Sequence, residues 1–475
     1  MKKGIKKILF IKASRPTKYN RLVTFPLGIM YLISYLKKIR DDLEFRIVDL
    51  RLSAGREEQV LRDALLEFKP DIAGISAITL ESPSMKWVAS RVKKFDNSCL
   101  VICGGPHPTA YPEEVLSDRN VDYIVSGEGE VVFANLISAL IDGGEISNLK
   151  GIGYREDNTC ILTPPDGYID DLDGLPFPAW EYADAKKYFH LTSMSNYGRR
   201  RYANIFTSRA CPYRCIYCHN IFGKGFRVRS VDNVIDELKY LKKKFGILEA
   251  EVIDDVFNLD MNRAREIFTR SIRENLGISF SFPNGLRGDR IDPELIKLMK
   301  EAGTLMITVA VESASSRIQQ LIRKNLDLPA VRKAIENCDR AGLLTRGFFM
   351  MGFPDETEDE IKTTVDFAVE SRLHIAMFYI AVPFRGTEMH DLVKERLKDT
   401  PHKSDDYEYV ASRFNFSGVE TKKLHKLQSS AYRRFYLQPW RWWKILKLSP
   451  YKGDLIRYLP SVISRFSITR EEVVI

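Results

Sequence analysis

Short apolar runs alternate with amphipathic stretches twice along this chain, and that alternation restricts it to α/β architecture. In the first array, residues 7–11, 45–48, 72–76, 100–103 and 123–125 read as strands. Residues 27–39, 57–68, 84–95 and 131–141 have helical spacing of Leu, Ile, Val and Ala between them. This predicts a doubly wound, Rossmann-like domain whose ligand lies beyond the carboxyl ends of the strands. The loops at that rim are 13–26, 77–83, 104–111 and 126–130. In the second array, strands are predicted at 203–207, 250–254, 278–282, 305–311, 345–351 and 376–382. Helices are predicted at 231–245, 262–274, 293–302, 317–323, 329–341 and 358–371. Six β/α units are too few for a closed eightfold barrel and fit an open (β/α)6 partial TIM barrel, with chemistry at the strands' C-terminal ends. Between the arrays, 146–195 loses periodicity and holds Pro164, Pro165, Gly174, Pro176 and Pro178, which reads as a linker or small cap.

The chain is therefore parsed as 1–145, 146–195, 196–400 and a C-terminal extension, 401–475. A length of 475 residues fits two or three packed units. At 44% hydrophobic and 28% charged, wholesale disorder is excluded. No run approaches 18 uncharged apolar residues, the length of a membrane span. Ile8-Leu9-Phe10-Ile11 before Lys12 is too short for a signal peptide's apolar region, so the expected location is the cytosol. Seven cysteines, an odd number, argue for metal or redox use over a disulfide framework.

Rim chemistry narrows the first domain's ligand. A dinucleotide fold wants G-x-G-x-x-G after its first strand. Here that place reads Lys12-Ala13-Ser14-Arg15-Pro16-Thr17, without glycine, and Gly127 and Gly129 alternate with Glu128 and Glu130. NAD and FAD are disfavoured. Gly104, Gly105 and Gly127 also read as ordinary tight turns.

In the second domain, Cys211, Cys215 and Cys218 lie within eight residues, directly after the first predicted strand. Soft thiolates select zinc, copper(I) or an iron–sulfur cluster. Structural zinc wants four ligands, and no second pair follows; Cys338 stands alone in a predicted helix. His219 adjoins Cys218 too closely for easy co-ligation. Cys215-Ile216-Tyr217-Cys218-His219 also matches the C-x-x-C-H haem-attachment pattern. A [4Fe–4S] cluster on three Cys keeps one iron open for a substrate, and this reading is favoured.

C-x-x-x-C-x-x-C with Tyr217 before the last Cys resembles the radical S-adenosylmethionine (SAM) superfamily. The resemblance implies that SAM chelates the open iron, and that its reductive cleavage gives methionine and a hydrogen-abstracting 5′-deoxyadenosyl radical. Further segments resemble the family's motifs. Asp254 and Asp255 match the second-strand motif, Glu312 and Ser313 the fourth, and Gly347 and Phe349 the segment beside the adenine. The bland readings are a helix-cap pair, a serine cap and apolar barrel filling. Pro383–Thr387 resembles the turn after strand six and is read as structural.

The first domain also has a resemblance. Phe25-Pro26-Leu27-Gly28, Gly104-Gly105-Pro106-His107-Pro108-Thr109 and Gly127-Glu128-Gly129-Glu130 resemble the cobalamin-binding domain fused to one radical SAM class. That class includes methyltransferases and the anaerobic magnesium-protoporphyrin oxidative cyclase. It implies cobalamin contacts from Ser14, Arg15, Leu27, Gly28, Ser76, Thr79, Gly104, Gly105, His107, Gly127 and Glu128. The Asp-x-His-x-x-Gly signature is absent, so cobalamin is expected base-off, without a histidine beneath cobalt and with 14–17 lining that face. A degenerate domain that binds no cobalamin is the alternative.

The implied reaction is methylation at an unactivated carbon of a small or lipid-like metabolite: one SAM methylates the cobalamin and the radical from another activates the substrate. Oxidative cyclisation or rearrangement without methyl transfer is the rival. A non-catalytic iron–sulfur protein is the alternative of another class. An external electron donor such as flavodoxin or ferredoxin is implied as a partner.

The net charge of +9 is concentrated at one end. Residues 421–470 carry +11, which leaves −2 for the remainder, so a nucleic-acid-coating surface is not expected. Three of the five tryptophans, Trp440, Trp442 and Trp443, fall in that segment. Such a tail suits an anionic membrane surface or, more simply, a helical extension packed on the barrel.

Overall fold

A computed structural model describes residues 4–14, 23–53, 55–157, 159–191, 193–195, 201–219, 221–398, 407–410, 412–449, 452–453 and 462–467. The chain forms two compact units, residues 1–191 with 221–223, and 192–220 with 224–475.

In the first unit, β1 (Lys7–Lys12), α1 (Leu27–Ile39), β2 (Glu44–Asp49), α2 (Glu57–Phe68), β3 (Ile72–Ser76), α3 (Ser82–Phe95) and β4 (Leu100–Gly104) follow in order. Two short helices, α4 (Pro106–Ala110) and α5 (Pro112–Ser117), precede β5 (Tyr123–Val125) and α6 (Gly129–Asp142). β1 is buried along nearly its whole length because helices cover both faces of the sheet. The sheet order is β2-β1-β3-β4-β5, all parallel. The order therefore reverses between β1 and β3, so Ser14 and Ser76 stand at the switch point where such folds bind ligands.

Residues 146–195 are more than a linker. They supply β6 (Ile152–Glu156) and β7 (Thr159–Leu162), which extend this sheet antiparallel beyond β5. The stretch then runs through α7 (Ala185–Tyr188), where Tyr188 stacks on Phe25 at 4.3 Å and donates to Asp49 Oδ2 at 2.9 Å. Proline content hid a hairpin whose strands are four and five residues long.

The second unit holds β8 (Tyr202–Ile205), a two-stranded ribbon of β9 (Ser208–Arg209) and β10 (Arg227–Val228), and then α8 (Val231–Phe245). Next come β11 (Glu249–Val252), α9 (Met261–Arg273), β12 (Ser279–Leu286), α10 (Pro293–Glu301), β13 (Met306–Glu312), α11 (Ser316–Leu321) and α12 (Leu328–Arg340). β14 (Leu344–Met351), α13 (Glu358–Glu370), β15 (Ile375–Ile380) and α14 (Glu388–Lys398) complete the array. The six long strands are parallel in the order β8-β11-β12-β13-β14-β15, and the two outer strands do not pair, so the sheet is an open (β/α)6 barrel. Local signals end the helices where expected: Ser230 caps α8, Gly246 ends it at φ 64°, and Thr357 with Glu360 forms a capping box on α13.

The C-terminal extension is part of this unit. α15 (Thr421–Tyr436) packs on β15, and α16 (Pro439–Leu448) follows. Arg441 is fully buried between the rings of Phe435 and Trp440, and it donates to the carbonyls of Val369 and Ser371 at the end of α13. Lys444 donates to Asp339 on α12 at 2.6 Å. Much of the tail's aromatic and basic character is thus used in packing. Among the described residues, no helix is long and apolar enough to cross a membrane.

Candidate active site

The second unit's site is built on the loop between β9 and β10. Asp254 is 2% exposed, and its carboxylate accepts from Thr207 N–H (2.6 Å), Thr207 Oγ1 (2.5 Å) and Ser208 Oγ (2.6 Å). Arg263 Nη2 donates to Thr207 O at 2.6 Å. Asp254 therefore anchors the strand end through Thr207 and Ser208. Asp255 turns outward and accepts from Ala210 N–H at 3.1 Å. This holds Ala210 at φ 71°, a conformation L residues disfavour by roughly 1–2 kcal/mol, immediately before Cys211. Burial of the carboxyl, and then neighbouring Asp254, push Asp255 up to about 6.

Ile216 is sunk into an apolar cluster with Ile318, Ile322, Met350, Phe353 and Met389. Its backbone is tied to Ile322 O (3.2 Å) and Met389 N–H (2.8 Å), and Cys218 N–H closes a turn onto Cys215 O at 3.1 Å. With the loop pinned at Ile216, Cys211 and Cys215 are half-buried and Cys218 is exposed. Although the residue as a whole is exposed, the Cys218 thiol is desolvated by the loop packed around it, and this, then Cys215, Asp255 and Cys211, push it up to about 12. Burial likewise raises Cys211, with Cys215 and Asp255 adding to it. Two thiols whose ionisation is opposed by burial and by neighbouring groups, beside a third on the same loop, fit a cationic metal core, which supplies the missing positive charge. Among the described residues, no three Cys, His, Asp or Glu side chains converge on one point to hold a single ion. His219 lies instead against the ring of Phe384, with centroids 5.0 Å apart.

Across from the thiols, Glu312 stands at φ 66° where the register of β13 against β14 shifts. Its Oε1 accepts from Tyr217 OH and Lys324 Nζ, both at 3.3 Å, and Lys324 Nζ is also 3.3 Å from the Tyr217 oxygen. Burial works against the Lys324 charge, but Glu312 and Cys215 outweigh it and hold the ammonium above its ordinary value. Sequence reasoning missed Lys324: its only signal was a cation following the short helix α11, a common pattern.

Strand alternation sets the direction of three further residues. Ser313 Oγ lies 3.1 Å from Thr364 Oγ1 on α13 and accepts from Ser315 N–H, so it faces the outer helix layer. A Cβ on Gly347 would meet Leu373 Cδ1 at 2.5 Å. Phe349 is fully buried and stacks on Phe378 (5.4 Å) and against Phe367 of α13 (6.4 Å). The interior face of β14 carries Arg346, Phe348 and Met350 instead.

Just past β14, Glu356 is fully buried, and its Oε2 accepts from Gly352 N–H (2.7 Å) and Phe353 N–H (3.2 Å) while Oε1 has no partner. Burial pushes it up to about 8 from 4.5. The folded protein therefore keeps this proton longer than the unfolded chain does. The stability it contributes is present below pH 4.5 and lost as pH rises to about 8. Glu356→Gln is expected to flatten that decline and gain about 1–3 kcal/mol at pH 8 over the parent. Urea midpoints at pH 5 and pH 8 check this.

In the first unit, the place a dinucleotide fingerprint would occupy holds a buried ion pair, Lys12 with Glu81, which the sequence reading missed. Ser14 N–H donates to Ser84 Oγ at 3.1 Å, and Arg15 lies outside the described residues. Thr79 is 7% exposed at the start of the turn 79–81, and Gly104 ends β4. Gly105 has φ 95°, and a Cβ there would come within 3.2 Å of Ala77 O and 3.3 Å of Ser76 Oγ, so only glycine fits. Gly127, at φ 74°, donates to Thr109 Oγ1 at 3.0 Å, and a Cβ on it or on Gly28 would project into open space. His107 is 2% exposed, stacks on Tyr111 at 4.9 Å, and neither ring nitrogen has a partner. Burial pulls it down to about 4, so the imidazole is neutral at pH 7. A buried imidazole with two unmet nitrogens, on a rim that also carries glycines open to added bulk, fits a large amide-rich cofactor. Leu27 and Glu128 do not fit: Leu27 is core, and Glu128 accepts from Ile169 N–H at 2.8 Å.

Comparison with known proteins gives a family match in each of the two units. Residues 205–368 match the Radical SAM superfamily and residues 21–137 the B12 binding domain. The chain is 31% identical to "Uncharacterized methyltransferase PH0819" of Pyrococcus horikoshii, over 92% of this chain and 93% of that protein. It is 29% identical to cytidylyl-2-hydroxyethylphosphonate methyltransferase of Streptomyces wedmorensis, over 77% of each chain. TsrM of Kitasatospora setae, solved with cobalamin and a [4Fe–4S] cluster bound, shares the fold with a TM-score of 0.68 at 17% identity, over 84% of this chain and 79% of that one.

The chain belongs to the radical SAM superfamily, in the branch that carries a B12-binding domain. It is an enzyme of the cobalamin-dependent methyltransferase family, whose cofactors are a [4Fe–4S] cluster, SAM and cobalamin.

Proposed function

We propose that this protein methylates an unactivated carbon of a small molecule, with residues 1–191 holding cobalamin and 192–475 holding the cluster, SAM and substrate. Bound there, the cluster supplies one-electron reduction, SAM the sulfonium to be cleaved, and cobalamin a methyl-transfer centre. The observation that carries this reading is one loop offering three thiols at an open barrel's rim, opposite a carboxylate–ammonium pair.

Cys211, Cys215 and Cys218 hold the cluster. Lys324 and Glu312 present paired opposite charges, suited to the carboxylate and ammonium of SAM's amino-acid moiety, and Tyr217 fixes the Glu312 rotamer by its hydroxyl. Asp255 keeps the backbone before Cys211 in place, and Asp254 keeps Asp255's strand end in place. In the first unit, Ser14, Gly28, Ser76, Thr79, Gly104, Gly105 and Gly127 line the cobalamin rim, with neutral His107 hydrogen-bonding a corrin amide of the base-off cofactor.

The electron comes from an external carrier such as flavodoxin or ferredoxin. The apolar side chains left exposed on the tail, Leu437, Trp443 and Leu446 beside Lys447, suit a peripheral anionic membrane contact.

The test is anaerobic turnover with methyl-labelled SAM on a metabolite extract of the source cells. Label in a new product together with 5′-deoxyadenosine is expected. A product formed without label would overturn methyl transfer in favour of cyclisation or rearrangement.

A further inference from the structure

The two faces of β14 and β15 are used differently. Phe349 and Phe378 fill the layer under α13 and α15 and are fully buried. Phe348, Met377 and Tyr379 take the interior face and remain only half-buried. Their surroundings form a continuous run. The Arg346 guanidinium lies 4.9 Å from the Phe348 ring, and Phe348 meets Tyr379 at 5.6 Å. Tyr379 meets Tyr409 at 6.0 Å, Tyr409 meets Phe384 at 5.5 Å, and Phe384 meets His219 at 5.0 Å, next to Cys218. Tyr379 also packs on the Ile216 cluster with Tyr217, so the wall and the thiol loop share one floor.

This wall offers π faces, and the cations beside it are engaged: Arg465 sets Nη1 2.9 Å from Met377 Sδ and lies over the Tyr432 ring. Arg346, which could otherwise clamp an anion, directs Nε to Thr308 Oγ1, Nη1 to Met194 O and Nη2 to Pro283 O. Burial pushes the Tyr379 phenol up to about 12, so it stays protonated and neutral. A phosphate or carboxylate ligand would need available guanidinium or ammonium donors. A hydrocarbon ligand gains from covering aromatic rings, each of which buries roughly 150–250 Å².

We propose that this aromatic wall receives the carbon skeleton of the substrate, and that the substrate is an uncharged, predominantly hydrocarbon molecule with a planar or unsaturated portion. The inference rests on the radical SAM reading of the same site and names its substrate class. Phe348 and Tyr379 are then specificity-determining residues, with Phe384 and Tyr409 closing the wall towards the cysteines.

The experiment is a fluorescence titration of the full-length, cluster-loaded protein with N-phenyl-1-naphthylamine, an uncharged aromatic probe, with uridine monophosphate as competitor. Saturable binding that the nucleotide does not displace is expected. Phe348→Ala and Tyr379→Ala are each expected to weaken it about tenfold, or about 1.4 kcal/mol, and Tyr379→Phe to retain it. Brown absorbance reports whether each variant is folded and loaded; Phe348→Leu substitutes if Phe348→Ala is not. Unchanged affinity in loaded variants, or displacement by the nucleotide, overturns the wall. A wild type that forms no 5′-deoxyadenosine on reduction with SAM overturns the radical SAM reading instead, so the two failures are distinguishable.

Discussion

Replacing any one of Cys211, Cys215 or Cys218 by Ala is expected to abolish the brown absorbance of anaerobically reconstituted protein and to drop SAM cleavage to background. Among the described residues, the neighbouring donors are engaged: His219 is held against Phe384, and Asp255 accepts from Ala210 N–H. Folding is expected to survive, because the loop is pinned by Ile216, which the substitution leaves in place. Cys338, fully buried on α12, is the matched control, and Cys338→Ala should retain both signals. A chelator that strips iron should reproduce the loss of both signals in the parent. Absorbance and 5′-deoxyadenosine release measured together check the claim; retention of both in any one of the three variants would sink the cluster assignment.

These cysteines stand out in the sequence because their spacing is itself the signal. Much of the fold was legible for a related reason: strands buried on both faces leave unbroken apolar runs, so 72–76 and 123–125 coincide with β3 and β5. Direction is harder to read than position. Gly347 and Phe349 sit in the right strand, but a period of two sends them outward and brings Phe348 inward. Ser313 turns outward in the same way, because the bulge at Glu312 resets which residue faces the interior. Asp254 and Asp255 could be divided into one buried and one outward acid from sequence, but not into which. Lys324 and the Lys12–Glu81 pair were invisible because both are long-range pairings between ordinary residues. The β6–β7 hairpin was lost among prolines that lie just outside it.

The tail's tyrosines hold the open edge of the barrel, and removing their hydroxyls is expected to be costly. β15 is an outer strand, so one side of its backbone has no neighbouring strand. Tyr432 OH accepts from Phe378 N–H (3.0 Å) and donates to Phe378 O (3.1 Å). One turn later Tyr436 OH does the same for Ala376, at 3.2 Å and 3.1 Å. Residues 376 and 378 point their backbone groups to the same side, and the i, i+4 spacing on α15 matches them. Gln428 extends the row by donating to Phe378 O at 2.8 Å. Both Tyr→Phe changes keep the ring; Tyr436→Phe strands the Ala376 N–H and C=O, and Tyr432→Phe strands the Phe378 N–H while Gln428 still serves Phe378 O, at about 1–3 kcal/mol per unsatisfied group. Tyr432→Phe with Tyr436→Phe together should therefore cost about 3 kcal/mol or more, a large part of a typical 5–15 kcal/mol. An uncovered edge strand also templates association, so the double variant should aggregate at lower temperature than the parent. Arg433→Ala, on the same helix but directed outward, should change stability by less than about 1 kcal/mol. Denaturant midpoints and light scattering on heating decide the matter: a double variant as stable as Arg433→Ala would mean that the helix merely lies on the barrel and does not close its edge.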